Sequence, residues 1–203
     1  MKNHKFSKLL LASVISSLTV PTFAQQLEEV VVTASKRAEN LQDIPQAVTA
    51  FSSERLVELG IVETSDLMGA VPNIQVTSAY GRTQPNFSIR GISVANEFSA
   101  ATASPVGVYV DEVYQSFRAS HGQQLFDLES VEVLRGPQGT LYGRNTTGGA
   151  VNVNTIKPSL GEGASGFLNV RLGNYSYADF TGAVEATIIP DVLGVRLSGA
   201  VSE

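Results

Sequence analysis

From Gly166 to Ser202 apolar and polar residues alternate almost without interruption. Leu168, Val170 and Leu172 stand against Asn169 and Arg171. Ala178, Phe180, Gly182, Val184, Ala186 and Ile188 stand against Tyr177, Asp179, Thr181, Glu185 and Thr187. Val195, Leu197, Gly199 and Val201 stand against Arg196, Ser198 and Ser202. A period of two places each set on one face of a strand. Segments of about ten residues with this alternation are the signature of transmembrane β-barrel strands, although each hairpin alone would equally suit a soluble antiparallel sheet with one wet face. Asn174 and Pro190-Asp191 mark the turns between them. Three such strands cannot close a barrel, since the smallest have about 8, so the pattern implies either the start of a longer chain or a fragment that builds no barrel by itself.

Upstream the pattern is shorter and more broken. Val131 and Val133 face one way, with Glu132 and Leu134 opposite; Val151 and Val153 alternate with Asn152 and Asn154. Glu132 is expected on a solvated face. Between these strands lie glycines 136, 139, 143, 148 and 149, which permit positive φ and close backbone approach. Shorter strands are predicted over 47–51, 73–77, 87–91 and 106–110, the last continuing the sheet and ending at Asp111-Glu112. Ser52 or Ser53 can cap a helix carrying Leu56, Val57 and Leu59 and closed by Gly60; Thr64 or Ser65, with Asp66, can start a second that ends before Pro72. Residues 78–85, 92–105 and 113–123 read as connections, and 35–46 as a polar tether.

The N-terminus adds an export signal. Lys2, Lys5 and Lys8 precede an apolar stretch from Leu9 to Val20, and Thr22-Phe23-Ala24 offers a small-x-small cleavage site. That stretch is shorter than the ~20 residues a spanning helix needs, and no later segment reaches that length. A membrane form of this chain would therefore have to be a closed β-barrel. Removal of 1–24 takes away three basic residues and no acid, leaving 11 basic against 19 acidic, a net charge of −8. Phosphate contacts need a basic face, so a nucleic-acid partner is not expected.

Candidate chemistry is sparse. There is no cysteine, and His121 is the only histidine beyond the cleavage site, which disfavours a metal site or a histidine-based triad. The glycine-rich connector lacks both Gly-Lys-Ser/Thr and Gly-x-Gly-x-x-Gly, so it is not a nucleotide loop. Asp111-Glu112 and Glu129/Glu132 are paired carboxylates without a readable apolar pocket, and no Gly-x-Ser-x-Gly elbow occurs. No catalytic residue, protein metal site or cofactor is expected.

Glu132-Val133-Leu134-Arg135-Gly136-Pro137, then Leu141-Tyr142-Gly143, then Gly148-Gly149-Ala150-Val151-Asn152, resembles the plug-domain signature of the TonB-dependent outer-membrane receptors in order and spacing. Ile89-Arg90-Gly91 is similar to a second plug motif. Glu29-Val30-Val31-Val32-Thr33-Ala34 resembles the TonB box. As sequence, this segment reads either as a first strand of the domain or as an exposed peptide that adds to a partner's sheet edge; its nearness to a free end favours exposure.

The resemblance implies an α+β plug domain, a mixed β-sheet with short helices, followed by the first antiparallel strands of a transmembrane β-barrel. The implied division is a signal peptide at 1–24, TonB-box segment and tether at 25–39, plug at 40–157 and an incomplete barrel start at 158–203. A plugged barrel of this kind has roughly 22 strands. The resemblance further implies TonB and outer-membrane lipid as partners, and import of a scarce small molecule, most commonly a ferric siderophore. Arg90 and Arg135 would latch the plug to glutamates on the barrel wall, beyond residue 203. Arg82, Asn96, Glu97, Phe98, Tyr114 and Phe117 are substrate-contact candidates by loop position. Too few residues lie between Ala24 and Glu29 for an added signalling domain, so a plain transporter is expected. The alternatives are a barrel-less soluble periplasmic plug-like binding module or a truncated gene product.

Overall fold

The computed structural model describes residues 31–202 apart from 34, 38, 82, 83, 97, 99–101, 123 and 162. The expectations for the signal peptide and for Glu29, Val30, Ala34, Arg82 and Glu97 lie outside the described residues. The strands are β1 (Val31–Val32), β2 (Glu39–Asn40), β3 (Val48–Ser52), β4 (Ile74–Thr77), β5 (Asn86–Ile89), β6 (Val106–Val110), β7 (Val113–Tyr114), β8 (Leu128–Arg135), β9 (Gly149–Thr155), β10 (Ala164–Leu172), β11 (Ala178–Ile189) and β12 (Leu193–Ser202). The α-helices are short: α1 (Ser53–Glu58), α2 (Leu67–Ala70) and α3 (Gly139–Tyr142).

A five-stranded mixed sheet, in the order β3-β8-β9-β6-β7, forms the centre. β9 pairs antiparallel with β8 and parallel with β6, so the two strands flanking the glycine-rich connector lie side by side in mid-sheet. β4 and β5, expected to share a sheet with β6, instead form their own two-stranded ribbon. β7 lies within a stretch expected to be a connection. It returns antiparallel along β6 through Asp111 and Glu112, both at positive φ.

Val131, Val133, Val151 and Val153 point to one side of the central sheet. There they meet Leu56 of α1, Leu67 of α2 and Ile74, Phe87 and Ile89 of the ribbon. Ser52 caps α1 by accepting from Arg55 N at 3.4 Å, and Gly60 turns the chain away at φ 65°. Before α2, Asp66 Oδ2 accepts from Val62 N at 3.0 Å and from Glu63 N at 2.9 Å, a carboxylate at a helix start. Fully burying each such aliphatic or aromatic side chain contributes about 1.5–3 kcal/mol, so this face supplies the main core.

The other face is also covered. Val32, Ile44, Tyr109, Leu134, Tyr142 and Ala150 make a second cluster, roofed in part by the N-terminal segment. Two expectations fail here for one reason. Residues 35–46 are not a plain tether: β2 pairs with β1, a 3-10 turn spans Leu41–Asp43, and Ile44 is buried. Glu132 is not solvated but fully buried, because alternation predicts which face a residue takes and not whether that face is wet.

β10, β11 and β12 form an antiparallel sheet whose register aligns like with like. Val170 lies opposite Phe180 and Phe180 opposite Val201; Gly166 opposite Val184 and Val184 opposite Leu197. The face with Leu168, Leu172, Val184, Leu197 and Val201 is exposed, whereas Asp179, Thr181 and Ala183 of the other face are buried against the rest of the chain.

Candidate functional site

The N-terminal segment that resembles the TonB box does not hang free. Val31 and Val32 pair with Asn40 and Glu39, and Val32 is buried. Its seat is the second face of the central sheet, where register places Glu132 opposite Asn152. Glu132 Oε1 accepts from Thr33 N at 2.6 Å and from Thr33 Oγ1 at 3.1 Å. The same carboxylate accepts from Asn152 Nδ2 at 3.3 Å and Asn154 Nδ2 at 3.4 Å. Both asparagine amides also reach Thr33 Oγ1, at 3.4 and 3.2 Å. A buried carboxylate demands such donors, since leaving it bare would cost several kcal/mol. The expectation of an exposed strand is thus corrected: Thr33 supplies donors that the buried acid needs.

Tyr142, from the Leu141-Tyr142-Gly143 motif, extends this seat. α3 places it in the second cluster, with its ring 4.9 Å from that of Tyr109 and its carbonyl accepting from Tyr109 Oη at 2.6 Å. Burial pushes the Tyr142 phenol well up, reinforced by the negative charges of Glu132 and Glu112 and by Tyr109. Lys36 rests its ammonium 5.5 Å from the Tyr142 ring centre, a cation–π contact just past the docked strand.

The rest of the signature closes the connector on itself. Gly136 N donates to Gly148 O at 3.0 Å, Gln138 N to Thr146 O at 2.9 Å, and Thr146 Oγ1 to Gly143 O at 2.7 Å. Pro137 lies between the first two bonds, where its missing N–H is not needed. Arg90 and Gly91 sit in a left-handed turn just past β5, at φ 53° and 79°. Arg90 Nη1 lies 3.4 Å from where a Cβ on Gly136 would be, so its guanidinium reaches the residue that follows Arg135. Arg135 Nε is buried without a hydrogen-bond partner among the described residues.

The described loop candidates, Asn96, Phe98, Tyr114 and Phe117, do not form one site. Asn96 Oδ1 accepts from Phe98 N at 3.0 Å, and exposed Phe98 stacks edge-on against Tyr80 at 6.2 Å, with Tyr80 Oη donating to its carbonyl. Phe117 is exposed, before a 3-10 turn at Arg118–Ser120. Tyr114 is different: it packs on Tyr109 at 5.4 Å and accepts from Asn145 Nδ2 at 2.9 Å. His121 is buried, Nε2 lying 3.0 Å from Gln115 O, and burial pushes its imidazole pKa down. No cluster of metal-ligating side chains occurs among the described residues.

Sequence reasoning missed the contact that holds β10–β12 to the sheet. Arg196 forks onto Asp127, with Nε 2.9 Å from Oδ2 and Nη2 2.5 Å from Oδ1, while Nη1 reaches Glu185 at 2.8 Å. Gln124 Nε2 donates to Asp179 Oδ1 at 3.1 Å, and Arg171 Nε lies 3.1 Å from Asp179 Oδ2. The signal was present as an arginine facing inward on an alternating strand, but its acceptor is 69 residues away. Asp127→Ala leaves the guanidinium only Glu185 and should cost about 2–4 kcal/mol. Asp127→Ala/Arg196→Leu should cost less, as thermal unfolding of the two variants would show; equal costs would mean that the fork is not what holds.

Residues 40–150 match the family model of the TonB-dependent Receptor Plug Domain. The chain is 34% identical over 138 residues to the pesticin receptor of Yersinia pestis, covering 68% of this chain and 20% of that protein. It is 27% identical over 161 residues to the vitamin B12 transporter BtuB of Vibrio vulnificus, covering 73% of this chain and 25% of that protein. The crystal structure of the ferric yersiniabactin uptake receptor FyuA from Yersinia pestis superposes with a TM-score of 0.65 at 29% identity, covering 75% of this chain and 24% of that one. The chain therefore spans a fifth to a quarter of the length of these relatives.

Proposed function

From the premise that the chain belongs to the TonB-dependent receptor plug family, whose relatives are outer-membrane transport receptors rather than enzymes, we propose that it is the N-terminal part of an active transporter importing a ferric siderophore. The docked strand at Val31–Thr33 is the observation that carries this reading. A strand held by Glu132 and its two asparagine neighbours, a two-residue ladder and one buried valine is seated on few contacts and can be released, and released strands pair with a partner's sheet edge. TonB is that partner in this reading.

Substrate binds on the outward loops and shifts the equilibrium between docked and released strand by its differential affinity for the two states. TonB pairs with the released strand and pulls, drawing on the inner-membrane proton gradient. Leu168, Leu172, Val184, Leu197 and Val201 form the lipid face of the first barrel strands. Iron is the cargo favoured here because the structure of a ferric yersiniabactin uptake receptor superposes on this chain at 29% identity; relatives named as vitamin B12 transporters, at 27–29%, make cobalamin the second reading. The iron is cargo and belongs to no site of the protein.

The test is uptake of labelled ferric siderophores by cells whose only such receptor is the full-length protein. Accumulation should stop when a protonophore collapses the gradient, while surface binding persists. Uptake of cobalamin but no iron chelate would overturn the substrate class, and recovery of the protein in the soluble periplasmic fraction would favour a barrel-less binding module.

A further inference from the structure

We propose that Glu132 is a clasp: its buried carboxylate holds the partner-binding strand shut, and opening of this one contact sets how often the strand is on offer. This rests on the transporter reading for the identity of the partner, TonB, but not for the contact itself. Glu132 has no exposed surface, and two of the four donors it uses come from Thr33. The other two, from Asn152 and Asn154, belong to the neighbouring strand and stay behind when the segment leaves.

The seat is therefore asymmetric. When Thr33 departs, the carboxylate keeps two amide donors and gains water, so it is never stranded; when Thr33 returns, it adds a charge-assisted bond of 2.6 Å. That makes the contact strong enough to hold and cheap enough to break. Further restraints are buried Val32, the asparagine amides on Thr33 Oγ1, and the Val31–Val32 ladder to Glu39–Asn40, which occupies main-chain groups that an added strand would use. Docking and partner pairing thus compete for one segment. The apparent affinity for the partner is then the intrinsic affinity scaled by the released fraction.

Glutamine at 132 keeps the volume and loses the charge: one oxygen remains to accept, and the amide that replaces the other turns a donor toward either the Thr33 or the Asn152 donor. Residues 1–203 hold no cysteine, so with any cysteine of the remaining receptor replaced by serine one introduced thiol reports alone. The experiment uses the full-length receptor, spin-labelled at Arg37→Cys beside the docked strand, with a second labelled form at Val57→Cys on the exposed face of α1. The partner probe is the purified periplasmic domain of TonB.

In Glu132→Gln the label at 37 should become mobile without substrate, and affinity for TonB should rise by roughly tenfold or more. The label at 57 should not change. If the label at 37 stays as immobile as in the parent, the clasp is wrong, whatever transport does. If that label is freed but affinity for TonB is unaltered, competition is wrong. If neither protein binds TonB although the label is freed, the clasp stands and the transporter reading falls. Should the label at 57 report loss of the fold in Glu132→Gln, Thr33→Pro decides, since it removes both the N–H and the hydroxyl that Glu132 accepts from without touching the sheet. An immobile label at 37 in Thr33→Pro would then overturn the proposal.

Discussion

Val31→Pro should abolish energised uptake while leaving substrate binding at the cell surface unchanged. Proline has no N–H and fixes φ near −65°, so it deletes a ladder donor at the centre of the strand that TonB would extend. The residue lies far in sequence from the loops on which substrate is expected to land. Its present partner is Asn40, in a ladder only two residues long, so the rest of the fold loses little. Uptake and binding of a labelled ferric siderophore, measured on the same cells, check this. Uptake at the parental rate would mean that strand addition is not how force is applied.

Gly149→Ala should destabilise the plug by about 3 kcal/mol or more. Gly149 opens β9 at φ 153° and is paired on both sides, with Arg135 on β8 and Val106 on β6. A Cβ there would lie 2.3 Å from the Leu134 carbonyl oxygen and 2.8 Å from Ile89 Cδ1. The first of these is backbone in the centre of the sheet and cannot step aside without breaking a ladder. Gly139, at the start of α3, has open space around it, so Gly139→Ala should fall within about 0.5 kcal/mol of the parent. The urea concentration at which the plug becomes protease-sensitive in the full receptor measures both. A parental midpoint for Gly149→Ala would mean that the sheet tolerates a local shift the static geometry does not suggest.

The central strands and the antiparallel run after Gly163 were legible because their alternation is strong and their turns carry Asn, Pro-Asp and glycine. The family was legible from the spacing of three short motifs. Other features were not legible, for identifiable physical reasons. The hairpin between β6 and β7 turns on Asp111-Glu112, two residues at positive φ without the glycine that usually announces such a turn. The burial of Glu132 depends on its registration with Asn152, a cross-strand fact that alternation within one strand does not contain. The seating of Val32 depends on a second apolar face that exists only once β8, β9 and β6 lie together. The fork from Arg196 on β12 to Asp127, just before β8, joins residues 69 positions apart, and neither position carries a motif. Of the loop candidates, Asn96 and Phe98 come together, whereas Tyr114 stands in a packed aromatic cluster because β7 was not foreseen.

The bonds from Thr33 to Glu132 and Asn154 span 99 and 121 residues. In a chain synthesised from its N-terminus, the strand is therefore made long before its seat exists. For most of synthesis and export Val31–Thr33 has nothing to dock on, and three adjacent valines with an unpaired backbone are a template for association with other chains. Docking must be among the last events of folding, because it closes the longest loop and waits on a finished sheet.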